Sequence, residues 1–212
     1  MKLFPFVIAV LCSNYIVAAD PQIEKQEPKT EYYLDVGDRR LAVEVDKPFK
    51  VTPEMVGKEL VLRRQHYRML NLAGLDFAYP TDFNFKCKEE EGVTTWILSG
   101  VDCHVHLMQT DHVDAKDDTD AAAIAEGLSN TKLNPDAKVV DKSISLGKRV
   151  ISGKRVAYTM VTIPMLHDIY VFNAGGKKYR LIITVTGSKE GNAAFERVSK
   201  LLTENSTAKD AK

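Results

Sequence analysis

The stretch 153–202 constrains the fold of this chain more than any other. Tyr179, Leu181, Ile183 and Val185 recur at a period of two, so they share one face of an extended segment over 177–186, and Ile182 with a row of Thr and Arg residues takes the other. Asn173-Ala174-Gly175-Gly176 marks a tight turn before that segment, and 154–163 and 168–172 read as two more strands. After Gly187-Ser188 the period changes. Ala194, Phe195, Val198, Leu201 and Leu202 recur at helical spacing, and the Ser188 hydroxyl is placed to accept a bond from an orphan amide of the first turn. Neither a lone hairpin nor a lone amphipathic helix holds itself folded, so the helix stripe is expected to cover the sheet.

Upstream, the pattern is mostly of strands. Leu41, Val43 and Val45 alternate with Ala42 and Glu44, and Leu60 and Leu62 alternate with Val61 and Arg63; these fit either edge strands of the main sheet or a small appended hairpin. A strand over 75–80 is stopped at Pro80. A second, over 93–99, carries the single tryptophan, Trp96, and 103–108 supplies its hairpin partner. The alanine-rich 121–128 is a helix by propensity, and 139–146 returns to strand. The order strands, helix, strands, helix predicts an α+β class with an antiparallel sheet flanked by helices.

The strand ending in Tyr79-Pro80, the tryptophan strand Thr95-Trp96-Ile97-Leu98, the alanine-rich helix, the hairpin around Gly175-Gly176-Lys177-Lys178-Tyr179 and the closing helix with Phe195, Val198 and Leu202 together resemble the PsbP-like fold. The resemblance covers 75–203 and is one of pattern. It implies an αβα sandwich and, in most members, binding or scaffolding without catalysis; it maps no functional residues.

The 29 basic and 29 acidic residues cancel to a net charge of zero, so no global field draws the chain to nucleic acid, and no nucleic-acid partner is expected. At the start, Lys2, the apolar run 3–11 and Val17-Ala18-Ala19 have the form of a signal peptide over 1–19, which places the mature protein in an exported compartment, periplasmic or secreted. The apolar run is short of the ~20 residues of a spanning helix, so no transmembrane span is expected after cleavage. Polar residues 20–31 read as a mobile leader, 32–203 as one domain, and 204–212 as a disordered tail. Export makes the remaining pair, Cys87 and Cys103, read first as a disulfide, with two separate buried thiols as the competing reading.

Four groups of residues bear on chemistry. His104 and His106 flank Val105 on a strand and so point to one face, with His112 close behind; these three are the candidate ligands of a zinc or copper site, against the simpler reading of a solvated hairpin face. The acidic run Asp111, Asp114, Asp117, Asp118 and Asp120 lacks the glycine and closing glutamate of a calcium loop and suits a helix N-terminus instead. Lys148, Arg149, Lys154 and Arg155, from the echoed Gly-Lys-Arg-Val, form a candidate surface for an acidic protein partner, as does the basic run over 63–68; charged strand ends around a turn explain the echo equally well. Ser129 and Lys132 have Ser-x-x-Lys spacing without the companion elements of penicillin-binding enzymes. With no catalytic spacing or cofactor loop in the sequence, the expectation is a non-catalytic binding or accessory protein without a cofactor, the alternative being a metal-binding exported protein centred on His104 and His106.

Overall fold

The computed structural model describes residues 27–44, 47–110, 117–129 and 136–209; the expected signal peptide lies outside them. The described chain runs through β1 (Tyr32–Val36), β2 (Arg39–Val43), a 3-10 turn (Pro53–Met55), β3 (Leu60–Arg64), β4 (Tyr67–Leu72), β5 (Leu75–Pro80), β6 (Asn84–Glu90), β7 (Val93–Ser99) and β8 (Cys103–Thr110). It continues through α1 (Asp117–Ser129), β9 (Lys138–Leu146), β10 (Arg149–Met160), β11 (Ile163–Ala174), β12 (Lys177–Thr186), α2 (Lys189–Asn205) and β13 (Thr207–Ala208).

These strands make three antiparallel sheets. The largest has seven strands in the order β6-β7-β8-β12-β11-β10-β9; the others are β2-β1-β3 and β13-β5-β4. The period-two residues of β12 behave as their spacing requires: Tyr179, Leu181, Ile183 and Val185 are all buried, on the face that receives β5 and α2. On α2, Ala194, Val198 and Leu202 form the buried stripe, and Ser188 caps the helix by accepting from Gly191 N at 2.8 Å. The opposite face of the large sheet, through Val156, Tyr158, Met165, Ile169 and Val171, receives Ala121 and Ala125 of α1.

The expected helix-flanked α+β sandwich is therefore not the architecture. The class is β-rich, with only two α-helices among the described residues. Two physical reasons account for the difference. Residues 32–80 build strands of two further sheets rather than edges of the main one, and one of those sheets, not a second helix layer, shares the cover of the main core with α2. Alternation reveals that a segment is extended; it does not say which strand it pairs with.

The small sheet is pinned to the large one backbone against backbone. The turns at Gly74 and Gly175 touch so closely that a Cβ on Gly74 would lie 2.2 Å from Gly175 N, and both glycines have positive φ. Lys209 clamps the pair: its amide donates to Gly74 O at 2.7 Å, and its carbonyl accepts from Gly175 N at 3.0 Å. Of the tail expected over 204–212, residues 204–209 are held in place, because α2 continues to Asn205 and buried Ser206 accepts from the Ala78 amide at 2.8 Å; 210–212 lie outside the described residues. The leader is likewise tied at its end, where Glu31 O accepts from Gln65 N and Thr30 from Arg68.

Gly153 has a different task. It pairs with Tyr170 across β10 and β11, and a Cβ there would meet Ile169 O at 2.2 Å and the Tyr170 ring at 2.5 Å. The Ile169 carbonyl and the aromatic ring together occupy the space a side chain would take. Gly153→Ala is expected to cost about 2 kcal/mol, as overpacking of a filled site does; urea unfolding with an unchanged midpoint would show that the β11 backbone and the ring give way freely.

Candidate functional site

The strand register places three imidazoles on the α1 side of the large sheet. Thr184 of β12 pairs with His104 of β8 on one side and with His167 of β11 on the other, and the next row sets His106 beside Ile182 and Ile169. His167 is buried and fully engaged. Its Nε2 lies 2.8 Å from the Tyr158 hydroxyl and its Nδ1 2.9 Å from Thr184 Oγ1, with the Tyr158 ring stacked on it at 5.4 Å. A neutral imidazole satisfies both contacts in either tautomer, donating through one nitrogen and accepting through the other.

The electrostatics favour neutral rings throughout. Burial pushes His167 down to about 4, opposed by Asp168 and reinforced by His106. Burial also lowers His106, with His104 adding to the effect, and lowers His104 against the pull of Asp102. Neutral imidazoles are the form that binds metal. His104 and His106 share a face as expected, two residues apart on one strand, and supply two nitrogen donors at the surface. His112 lies outside the described residues, and among those residues no group of three His, Cys, Asp or Glu side chains converges to hold a metal ion.

Around the histidines, the sheet is open to one side. Helix α1 packs on β9, β10 and β11. Across β7, β8 and β12 the same face presents half-buried Thr95, Ile97, His106, Met108 and Thr184, and Ile182 of β12 packs toward the α1 cluster.

The two cysteines do not form the expected disulfide. Both are free and buried. Cys87 sits on β6 opposite Trp96 of β7, and Cys103 begins β8, so β7 runs between them. Two strand spacings of ~4.8 Å already exceed the ~7 Å limit for bridged Cα atoms. Burial raises both thiols, Cys103 to about 12, which keeps them protonated and unreactive.

The expected basic surface is also dispersed. Arg155 forks onto buried Asp168, Arg149 donates to Asn173 O at 2.6 Å, and Lys154 pairs with Asp141. Lys148 lies in the β9–β10 turn beside Gly147. The run over 63–68 is similarly divided, with Arg63 on Asp35 and Arg68 on Glu27. Of the remaining candidates, Asp111, Asp114 and Lys132 lie outside the described residues, Asp117, Asp118 and Asp120 open α1, and Ser129 Oγ donates to Glu126 O at 3.1 Å.

Sequence reasoning missed His167, Tyr158 and Thr184. Their only signal was alternation: 165, 167, 169 and 171 share a face, which sets a histidine among apolar residues, but recognising the network needs the register of three strands.

The fold and the site define a β-rich domain with a half-open sheet face lined by histidines. No protein-family model and no curated sequence matches the chain. Among solved structures, a crystal structure at 1.50 Å from Bacteroides thetaiotaomicron VPI-5482 is similar, at 15% identity and a TM-score of 0.39, over 65% of this chain. The chain spans 46% of that protein's length.

Proposed function

We propose that this is an exported, non-catalytic binding or accessory protein that holds a protein partner on the open half of its large sheet. The observation that carries the reading is the face of β7, β8 and β12, where Ile97, Met108 and Thr95 stand half-buried beside His104 and His106, while α1 packs mainly on β9, β10 and β11. An apolar strip with a polar margin suits a partner surface, and methionine adapts to varied contacts. The signal-like start accounts for export.

A second reading rests on the neutral, co-facial His104 and His106: a surface zinc or copper site completed by a partner's ligand. One experiment addresses both. The unaltered chain is expected to capture a discrete partner from the exported fraction, and Met108→Glu with Thr95→Arg to weaken capture about tenfold; Lys148→Glu, at the β9–β10 turn, leaves it unchanged. Equal capture by the double variant, with its fold intact by circular dichroism, refutes the first reading. Stoichiometric metal in the captured complex that is lost in His104→Ala/His106→Ala supports the second.

A further inference from the structure

The sheet β2-β1-β3 carries a surface that the proposed function does not use. Its register sorts side chains sharply: Leu34, Leu41 and Leu62 form one row, and Val36, Arg39 and Leu60 the next, all on one face. The other face takes Asp35 with its partners Arg40 and Arg63. By alternation Glu59 falls on that second face as well.

On this face Val36 is buried and Leu34 and Leu41 are half-buried, while Leu60 and Leu62 of β3 stay exposed, and the connection between β2 and β3 adds further exposed apolar residues. Leu62 is 63% exposed and Leu60 44%; in the connection, Phe49, Val51 and Val56 are 41%, 59% and 75% exposed. Arg39, on the apolar face, pairs with Glu54 and so holds the connection against that side. Lys47 occupies Glu44. Lys50, Lys58 and Arg64 have no ion-pair partner among the described residues. Protruding apolar side chains are thus interspersed with uncompensated cations.

We propose that this face binds the surface of an anionic lipid bilayer, with Phe49, Val51, Val56 and Leu62 entering the headgroup boundary and Lys50, Lys58 and Arg64 meeting lipid phosphates. Charge selects the occupant, since the unpaired cations Lys50, Lys58 and Arg64 outnumber the one unpaired anion beside them among the described residues, Asp38 of the β1–β2 turn. On a bilayer each apolar side chain partitions singly and each cation adds to the attraction. No helix among the described residues is long and apolar enough to cross a membrane, so this contact lies on the surface.

The test is sedimentation of the full chain with extruded vesicles of phosphatidylcholine alone or of phosphatidylcholine mixed with phosphatidylglycerol. Binding to the mixed vesicles and not to the neutral ones is expected. Lys50→Ala/Lys58→Ala/Arg64→Ala should lower the partition coefficient on the order of a hundredfold, at roughly fivefold per cation. Phe49→Ser/Val56→Ser should lower it about tenfold or more while leaving the unfolding midpoint in place. Retention of binding by either variant, or absence of binding to mixed vesicles at low salt, overturns the proposal. Competition by soluble polyglutamate as effective as that by mixed vesicles would identify an acidic protein as the occupant and overturn it equally.

Discussion

Arg155→Ala is expected to lower the free energy of unfolding by about 3 kcal/mol, far more than an exposed arginine would. The Asp168 carboxylate, 1% exposed, receives Arg155 Nε at 2.5 Å and Nη2 at 2.7 Å. The Tyr170 hydroxyl adds a longer bond at 3.3 Å, and the guanidinium lies 5.4 Å from the Phe195 ring centre, between sheet and α2. Removing the arginine leaves a carboxylate in the core with one weak donor, and breaking one side of such a pair costs about 3–5 kcal/mol. The lower end applies because Arg155 keeps 23% of its side-chain surface exposed. Arg155→Met with Asp168→Leu is expected to recover most of the loss, because the desolvated charges disappear together. Urea titrations of the three proteins measure this directly; a loss within about 0.5 kcal/mol for Arg155→Ala, the usual range for surface sites, would contradict it.

Acidification is expected to weaken the fold by up to about 3 kcal/mol through His167 alone. In the unfolded chain this histidine titrates near its ordinary 6.5, whereas burial between Tyr158 and Thr184 holds it near 4 in the folded state. The sign follows from proton counting. Above 6.5 both states are neutral there and the full stability is present; between 6.5 and 4 only the unfolded state takes up the proton, so stability falls with pH; below 4 both are charged and the contribution levels off. His106 and His104, lowered in the same direction, add to the slope. Unfolding free energies of the unaltered protein and His167→Gln at pH 7 and pH 4.5 separate the terms: the difference between the two pH values should shrink by about 2–3 kcal/mol in the variant. An equal pH dependence in both would exclude His167 as the source.

Both predictions concern residues that the sequence presented differently. Arg155 belonged to an apparent basic patch, and only the pairing of β10 with β11 sets it opposite Asp168. His167 sat unremarked in a strand that the sequence located only in part, over 168–172, while β11 extends over Ile163–Ala174. What could be read were features set by short-range physics. The face of β12, the Ser188 cap, the stripe of α2 and strand β7 around Trp96 each depend on a few neighbouring residues. What could not be read depends on partners far along the chain: the division of 32–80 between two further sheets, a β7 strand dividing Cys87 from Cys103, and basic residues consumed by internal acceptors. His104 and His106 were placed on one face correctly because a period of two suffices for that.

Ser206 reaches Ala78 across 128 residues of sequence, and that span has a consequence for how the protein is made. A ribosome adding roughly 5–20 residues per second finishes β5 some 6–25 s before Ser206 and Thr207 are synthesised. Throughout that interval the Ala78 amide and the outer edge of β5 lack their native partners, and the apolar residues of the strand await the sheet they will cover. Such an edge recruits foreign strands. The nascent chain therefore depends, for that interval, on a holding factor or on remaining unfolded, and its closing strand is the step that releases it from either.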